Sequence, residues 1–489
     1  MEQRTVLYLP GLKDMANGLA TRLGGAPVVC TEDLKNIAGA SKSSLGVAWE
    51  QFPSGDPDMK LRIDMIKDRH VVLLVHHDTT RFFEQMSVIL FLQGFKVPHP
   101  LEEYAKGKWK RTVADGKFDT CSVASLTIVA PWYRHCQMER TSRWCLVPKD
   151  GGGDKWYNGK PDGEYVDVPT ALSYATLLSA LPGPSGRSLP PQQLLLLDIH
   201  EYEDLEVALN ATRRWANKVR PYDHVTGRGT YFASAFDHFL KTVILPRVRA
   251  AAPRDLEERS FVVFPDGGAH RRFYTMVHTC LAGIPFDHIL WIDKTRVGAA
   301  VSQAEGFNYI DAAGREKRLV GKFPEGSFVL LADDFTNSGS TLFGGAEIIR
   351  RNAASKIEVH AYVTHFVAKY DRSTVTKFVA KLYEEDRPVD VSGSLEGIAP
   401  KMLDEFHCTD SIPDVTMWLR EDVQAQVGLG NKARAHVMPL APLIADWIGS
   451  QPAPTAPPAA SSPSKLAMAL AAGLAVGGAI GVAAARASQ

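Results

Sequence analysis

The feature that most constrains the fold is a recurring pattern: short, continuous apolar runs, each followed by a polar or glycine-bearing segment. Val71 to Val75 precede His76-His77-Asp78, Leu126 to Ala130 precede Pro131-Trp132-Tyr133, and Leu194 to Leu197 precede Asp198-Ile199-His200. The pattern continues with Phe261 to Phe264, Ile289 to Ile292, Phe328 to Ala332 and Val359 to Thr364. Runs that are continuous rather than alternating suit strands buried on both faces, as in parallel sheets covered by helices. Helix-like stretches lie between them, including Phe82 to Leu92, Thr170 to Leu181, Ala269 to Ala282 and Thr341 to Asn352. The expected class is therefore α/β with largely parallel sheets. In such sheets ligands gather beyond the carboxyl ends of strands, which is where this sequence places its Asp, His, Gly and Ser clusters.

At 489 residues the chain is long enough for two ordinary cores. Pro182, Gly183, Pro184, Gly186, Pro190 and Pro191 interrupt helix and strand patterns and place a boundary near residue 185. The expected organisation is a first domain over 1–185, a second over 186–449 whose final segment packs back on the first, a Pro/Ala/Ser linker over 450–464 and an apolar tail over 465–489. Lys149 to Pro161, with Gly151-Gly152-Gly153, reads as an exposed insertion. No short-period repeat is evident.

Lys plus Arg and Asp plus Glu both total 55, so the formal net charge is zero and nucleic acid is not an expected partner. The six cysteines lack the close pairs of a zinc site or disulfide framework, and Met1 to Pro10 lacks a secretory pattern. A cytoplasmic or organellar interior is the expected location. Leu466 to Ala485 carries no charged residue and holds Gly473, Gly477 and Gly481 at intervals of four. Two readings stand: membrane contact through this tail, or a flexible or surface-docked tail.

The strongest local signal runs from Val329 to Leu342. A buried strand delivers Asp333 and Asp334, and a short loop then offers Ser338, Gly339, Ser340 and Thr341 before a helix begins. Such carboxylates can accept from ribose hydroxyls or align magnesium-bound water, while the hydroxyls and free amides surround a 5-phosphate. In Pro265-Asp266-Gly267-Gly268-Ala269-His270-Arg271-Arg272, Asp266 can orient Mg²⁺ where glycines allow close backbone approach. His200 is placed to help position a metal–nucleotide complex. In Asp293-Lys294-Thr295-Arg296, the two cations are two residues apart and can face one side, neutralising charge on transferring phosphoryl oxygens. No GxxxxGK[ST] loop competes for the nucleotide role.

Taken jointly, the segments Asp198 to His200, Pro265 to Arg272, Asp293 to Arg296, Asp333 to Thr341 and Thr409-Asp410-Ser411 resemble the ribose-phosphate pyrophosphokinase (phosphoribosyl-pyrophosphate synthetase) family. The resemblance runs with gaps from about Phe52 to Pro413. Details are closest to the divergent plant-type branch, described as independent of inorganic phosphate. Trp49 to Asp58 resembles its adenine-side loop, Phe83 to Val88 the helix that follows, Glu139-Arg140 a nucleotide-facing pair, and Ala361 to His365 a strand and loop beyond the ribose site.

The resemblance implies two tandem phosphoribosyltransferase-like domains in a homo-oligomer. It implies an Mg²⁺-dependent enzyme that transfers the β,γ-diphosphoryl group of ATP to ribose 5-phosphate. Phe52, Asp56, Glu139, Arg140 and His200 would bind nucleotide, and His200 and Asp266 would hold its metal. Asp333, Asp334 and Ser338 to Thr341 would hold ribose 5-phosphate, and Lys294 and Arg296 would be catalytic. The chain departs from the common form at Gln137-Met138-Glu139, Asn337 and Ser54, changes of which the branch shares some. The alternatives are a phosphoribosyltransferase, which shares the loop from Asp333 to Thr341, and a noncatalytic regulatory or assembly homologue.

Overall fold

The computed structural model describes residues 4–9, 11–26, 28–30, 47–51, 53, 57–76, 82–93, 95–98, 102–105, 108–111, 118–121, 123–134, 143–148, 154–158, 165–166, 170–171, 173, 192–200, 228–251, 258–297, 300–384 and 402–450. Two sheets organise it. The first contains β1 (Arg4–Tyr8), β2 (Val28–Cys30), β3 (His70–Leu74), β4 (Ser125–Ala130), β5 (Gln192–Leu197) and β6 (Arg228–Ala233). All its pairings are parallel, in the order β2-β1-β3-β4-β5-β6. Helix α1 (Lys13–Arg22) follows β1, α2 (Phe82–Gln93) follows β3, and α3 (Ala235–Phe239) follows β6.

The second sheet contains β7 (Ser260–Phe264), β8 (Ile289–Val297), β9 (Ala300–Ile310), β10 (Glu316–Arg318), β11 (Phe328–Thr336), β12 (Glu358–Phe366), β13 (Glu405–Thr409) and β14 (Ala435–Met438). Its order is β10-β9-β8-β7-β11-β12-β13-β14. The β8–β9 and β9–β10 pairings are antiparallel, and the rest are parallel. Helices α4 (Gly267–Cys280), α5 (Ser340–Arg351), α6 (Arg372–Tyr383), α7 (Pro413–Gly428) and α8 (Ala441–Ser450) connect and flank these strands.

With the β9–β10 extension set aside, the second sheet repeats the first: its parallel strands, numbered in chain order, also run 2-1-3-4-5-6. The duplication is visible as topology, not as sequence. Each unit's last helix crosses to the other. Phe236 and Phe239 of α3 pack with Phe264, Phe273 and Tyr362 of the second unit. Leu440 and the α8 residues Ala441, Ile444, Ala445 and Ile448 pack against Met15, Ala16 and Leu19 of α1. The crossings are pinned alike. Asp198, after β5, donates its amide to Ala233 O and accepts from Ala235 N through its carboxylate, while Asp410, after β13, does the same with Met438 O and Leu440 N.

The Pro-rich run does not divide the sheets. Strands β5 and β6 follow it yet pair within the first sheet, so sheet membership changes between Ala233 and Ser260. Proline interrupts local hydrogen bonding but carries no information about which strands pair across it. The segment read as an insertion contains a strand, Asp154–Asn158, paired antiparallel with Arg143–Pro148. Most of the stretch from Thr170 to Leu181 lies outside the described residues, as do Phe52, Asp56, Glu139, Arg140 and the tail over 451–489. Among the described residues, no helix is long and apolar enough to cross a membrane.

Ile444 is fully buried between α8 and the first unit. Replacing it with Ala should cost about 2–5 kcal/mol, the usual range for emptying such a position. A urea unfolding curve with an unshifted midpoint would contradict this docking.

Candidate active site

The order of the second sheet locates its own binding crevice. From β7 the chain winds one way to β8, and from β11 it winds the other way through β12 to β14, so the direction reverses between β7 and β11. A crevice opens beyond the carboxyl ends of strands at such a point. Asp266 lies two residues beyond the end of β7, and Asp333 and Asp334 lie in the carboxyl half of β11, which runs on to Thr336.

Asp266 is the N-cap of α4, and its Oδ1 accepts from the Gly268 and Ala269 amides at 3.0 Å each. The second turn of α4 brings Arg272 to the site, where Nη1 lies 2.7 Å from Asp334 Oδ2. The same oxygen is 2.8 Å from His200 Nδ1, which reaches it from the end of β5 in the first sheet. Arg272 Nη2 lies 3.2 Å from that ring nitrogen. One buried carboxylate of the second unit is thus held by a cation of its own unit and an imidazole of the other.

Neighbouring positions on a strand face opposite ways, so Asp333 and Asp334 meet different surroundings. Burial alone would push the Asp334 carboxyl up, but the His200 hydrogen bond and the Arg272 guanidinium outweigh it and hold Asp334 well below the usual carboxylate range. Burial pushes Asp333 well above that range, reinforced by the charges of Asp334 and Asp266. Asp333 Oδ1 accepts the Asp334 amide at 3.0 Å. The two carboxyls are therefore pushed in opposite directions, Asp334 toward its anion and Asp333 toward its protonated form.

The loop after β11 is built for close approach by a ligand. Gly339 sits at φ +77°, where a Cβ would lie 2.6 Å from the Phe378 ring. Its amide donates to Thr336 Oγ1 at 3.2 Å, and no side chain caps α5. Ser338 and Ser340 are exposed, with their hydroxyls 3.1 Å apart. Ser340 N reaches Ser338 Oγ at 3.5 Å, so the helix start offers its following amides beside two hydroxyls, an arrangement suited to an anion.

A second layer fastens the two units beneath the site. Asp198, at φ +36°, accepts from Thr364 Oγ1 of β12 at 2.6 Å. His365 places Nε2 3.2 Å from Leu197 O and Nδ1 3.0 Å from Ser411 Oγ, and its ring packs on Trp132 at 4.3 Å. Burial lowers His365 to about 4, so it bridges the units as a neutral ring. Thr409 Oγ1 donates to Thr364 O at 2.7 Å, so Thr409, Asp410 and Ser411 hold backbone in place here.

The crevice therefore joins Asp266, Asp333, Asp334 and His200, with the loop from Ser338 to Thr341 continuing directly from β11. Lys294 and Arg296 lie within β8 rather than in a loop after it, opposite Gln303 and Val301 of the β8–β9 hairpin, past a register irregularity at Ile292/Lys294. Their side chains lie outside the described residues. Arg272 was not singled out by sequence reasoning, although its segment was. It lies six residues beyond the capping aspartate, nearly two helical turns along, and no local pattern points to its distant partner Asp334.

No protein-family model matches the chain. It is 25% identical over 421 residues to ribose-phosphate pyrophosphokinase 4 of Arabidopsis thaliana, an alignment covering 85% of this chain and 88% of that protein. It is 24% identical over 401 residues to ribose-phosphate pyrophosphokinase 4 of Oryza sativa subsp. japonica, covering 81% and 89% respectively. Among solved structures, phosphoribosylpyrophosphate synthetase from Mycobacterium smegmatis superposes with a TM-score of 0.51 at 15% identity, covering 92% of this chain and 98% of that one. That likeness establishes the fold, a tandem of phosphoribosyltransferase-like units. Over most of its length the chain is thus similar in sequence to plant ribose-phosphate pyrophosphokinases, and it shares its fold with a phosphoribosylpyrophosphate synthetase.

Proposed function

We propose that the chain transfers the β,γ-diphosphoryl group of ATP to the 1-hydroxyl of ribose 5-phosphate, forming 5-phosphoribosyl 1-pyrophosphate and AMP. The observation that carries this reading is the junction at Asp334, where His200 of one unit and Arg272 of the other meet beside a strand–loop–helix suited to a sugar phosphate. A phosphoribosyltransferase needs the loop but gives no reason for a second unit to reach into it.

In the reaction, the 1-hydroxyl oxygen bonds to the β-phosphorus, the bond from that phosphorus to the α,β-bridging oxygen breaks, and AMP departs with that oxygen. The hydroxyl proton is lost to solvent or a nearby base. Positioning and charge neutralisation supply most of such a rate enhancement. The hydroxyls of Ser338, Ser340 and Thr341 and the amides of α5 would hold the 5-phosphate, and Asp333 would accept from ribose hydroxyls. Asp334 stays ionised and fixes Arg272 and His200. Any contact of His200 with nucleotide or metal would come through Nε2, since Nδ1 faces Asp334.

The carboxylates of Asp266 and Asp333 interact unfavourably across the crevice, and hard oxygen donors of this kind fit Mg²⁺. When bound, Mg²⁺ would neutralise phosphate charge. Lys294 and Arg296 would meet the charge that develops on the transferring phosphoryl oxygens. The departures at Asn337 and Gln137-Met138 favour a second reading, a homologue that binds ligands but turns over only with a partner chain.

The deciding experiment is a mass-resolved assay of the full chain with Mg²⁺, ATP and ribose 5-phosphate. Matched AMP and phosphoribosyl pyrophosphate are expected. Binding of ribose 5-phosphate without either product would overturn the reading in favour of the noncatalytic homologue, and pyrophosphate release that depends on an added base would favour the transferase.

Lys294→Ala should lower turnover by about 10²-fold or more, in line with removing one charge-stabilising group, with little change in unfolding temperature. An unchanged rate would remove Lys294 from the mechanism. Because burial and neighbouring charge raise the Asp333 pKa, a ligand that needs its carboxylate ionised competes with a proton. Affinity for Mg²⁺ with ribose 5-phosphate should therefore fall as pH drops from neutral, and Asp333→Asn should flatten that dependence. An equally steep profile in the variant would show that another group titrates.

A further inference from the structure

At the amino ends of β12, β13 and β14, away from the crevice, a group of side chains serves no step of the proposed reaction. His360 on β12, Glu405 and His407 on β13, and His436 on β14 stand side by side on neighbouring strands. His360 is paired with Glu405 in register, His407 with His436, and Glu405 and His407 are two residues apart, so all four share one face of the sheet.

The donor atoms of the first three lie within 4.8 Å of one another. His360 Nδ1 is 3.3 Å from His407 Nε2 and 3.5 Å from Glu405 Oε2, and His407 Nε2 is 3.3 Å from that same oxygen. The His436 Nε2 atom stands 3.6 Å from it. Bonds of about 2.0–2.1 Å to a tetrahedral zinc ion place its ligand atoms about 3.3–3.4 Å apart, so the observed triangle already has the dimensions of one face of such a site.

Proton bookkeeping points the same way. His360 Nε2 lies 2.9 Å from Glu358 Oε1, which places the ring proton there and turns the Nδ1 lone pair toward Glu405 Oε2, itself an acceptor. Neutral His407 has at most one proton on Nε2 and cannot satisfy both. A cation at the centre accepts all three lone pairs. The Glu358 carboxylate behind His360 reproduces the outer support that orients metal-bound histidines, and Arg247 in turn pairs with Glu358. Arg247 Nη1 also stands 3.9 Å from Glu405 Oε2, a positive charge that a metal must share. Phe328 against His360 and Phe239 against His407, both at 5.1 Å between ring centres, fix the two rings.

We propose that His360, Glu405 and His407, with His436 as a fourth ligand, bind one zinc ion that ties β12, β13 and β14 together. Imidazole nitrogens with a single carboxylate select zinc over magnesium, so this site differs in chemistry from the oxygen donors at Asp266 and Asp333. Four protein ligands would leave no open position, as in a structural rather than a catalytic zinc site.

The test is calorimetric titration of chelator-treated, full-length protein with zinc chloride in excess Mg²⁺, followed by elemental analysis after desalting and a melting curve. One zinc per chain and a raised melting temperature are expected, with affinity at least about tenfold weaker in Glu405→Gln and His407→Asn. His436→Gln, at the more exposed edge, should weaken binding without unfolding the chain and decides the matter if the buried variants do not fold. Absence of zinc binding by the parent protein, or equal affinity in His436→Gln and any folded buried variant, would overturn the proposal and leave a hydrogen-bonded histidine network.

Discussion

The Asp334 carboxylate is the point on which the organisation of the crevice depends. A buried carboxylate without partners would take up a proton, and here Arg272 and His200 together keep it ionised. Because the two partners come from different units, the ionic state of the crevice and the relative placement of the units are one problem. Breaking such an arrangement leaves an uncompensated buried charge, which is costly. The neutral bridge through His365 and the Asp198–Thr364 hydrogen bond fasten the same junction without adding charge.

The exchange of terminal helices serves this junction. Helix α3 follows the last strand of the first sheet and packs in the second unit, and α8 follows the last strand of the second sheet and packs on the first. Each crossing is anchored by an aspartate beyond the fifth parallel strand, Asp198 or Asp410. Burial pushes Asp410 up to about 6, and the raised Asp198 has the same cause. The repeated unit therefore builds an internal interface twice, and the reaction proposed here uses only one copy of the equivalent crevice positions, the one carrying Asp333 and Asp334.

Much of the fold was legible in the sequence because strands buried on both faces need continuous apolar runs, and Phe328 to Ala332 and Val359 to Thr364 stand out as such. The stretch from Asp333 to Thr341 was legible for a local reason: carboxylates at a strand end, a glycine that must adopt φ +77° and a helix start occupy adjacent positions. Other features depend on partners far away in sequence. Nothing near Arg272 signals that it meets Asp334, and nothing in the Pro-rich run reveals that β5 and β6 pair backwards into the first sheet. The internal duplication was hidden because strand order can be kept while side chains change. His360, Glu405, His407 and His436 converge only once β12, β13 and β14 are aligned.

The central claim is that His200 and Asp334 act as one unit across the junction. Its most direct measurement is a double-mutant cycle with His200→Ala, Asp334→Asn and the double variant, read as ribose 5-phosphate affinity by calorimetry in the presence of Mg²⁺. A coupling of about 0.5–3 kcal/mol, with the double variant losing less than the sum of the singles, is the predicted result for residues in one hydrogen-bonded network. Strictly additive losses would contradict the account, since they would mean that the two units contribute to the crevice independently.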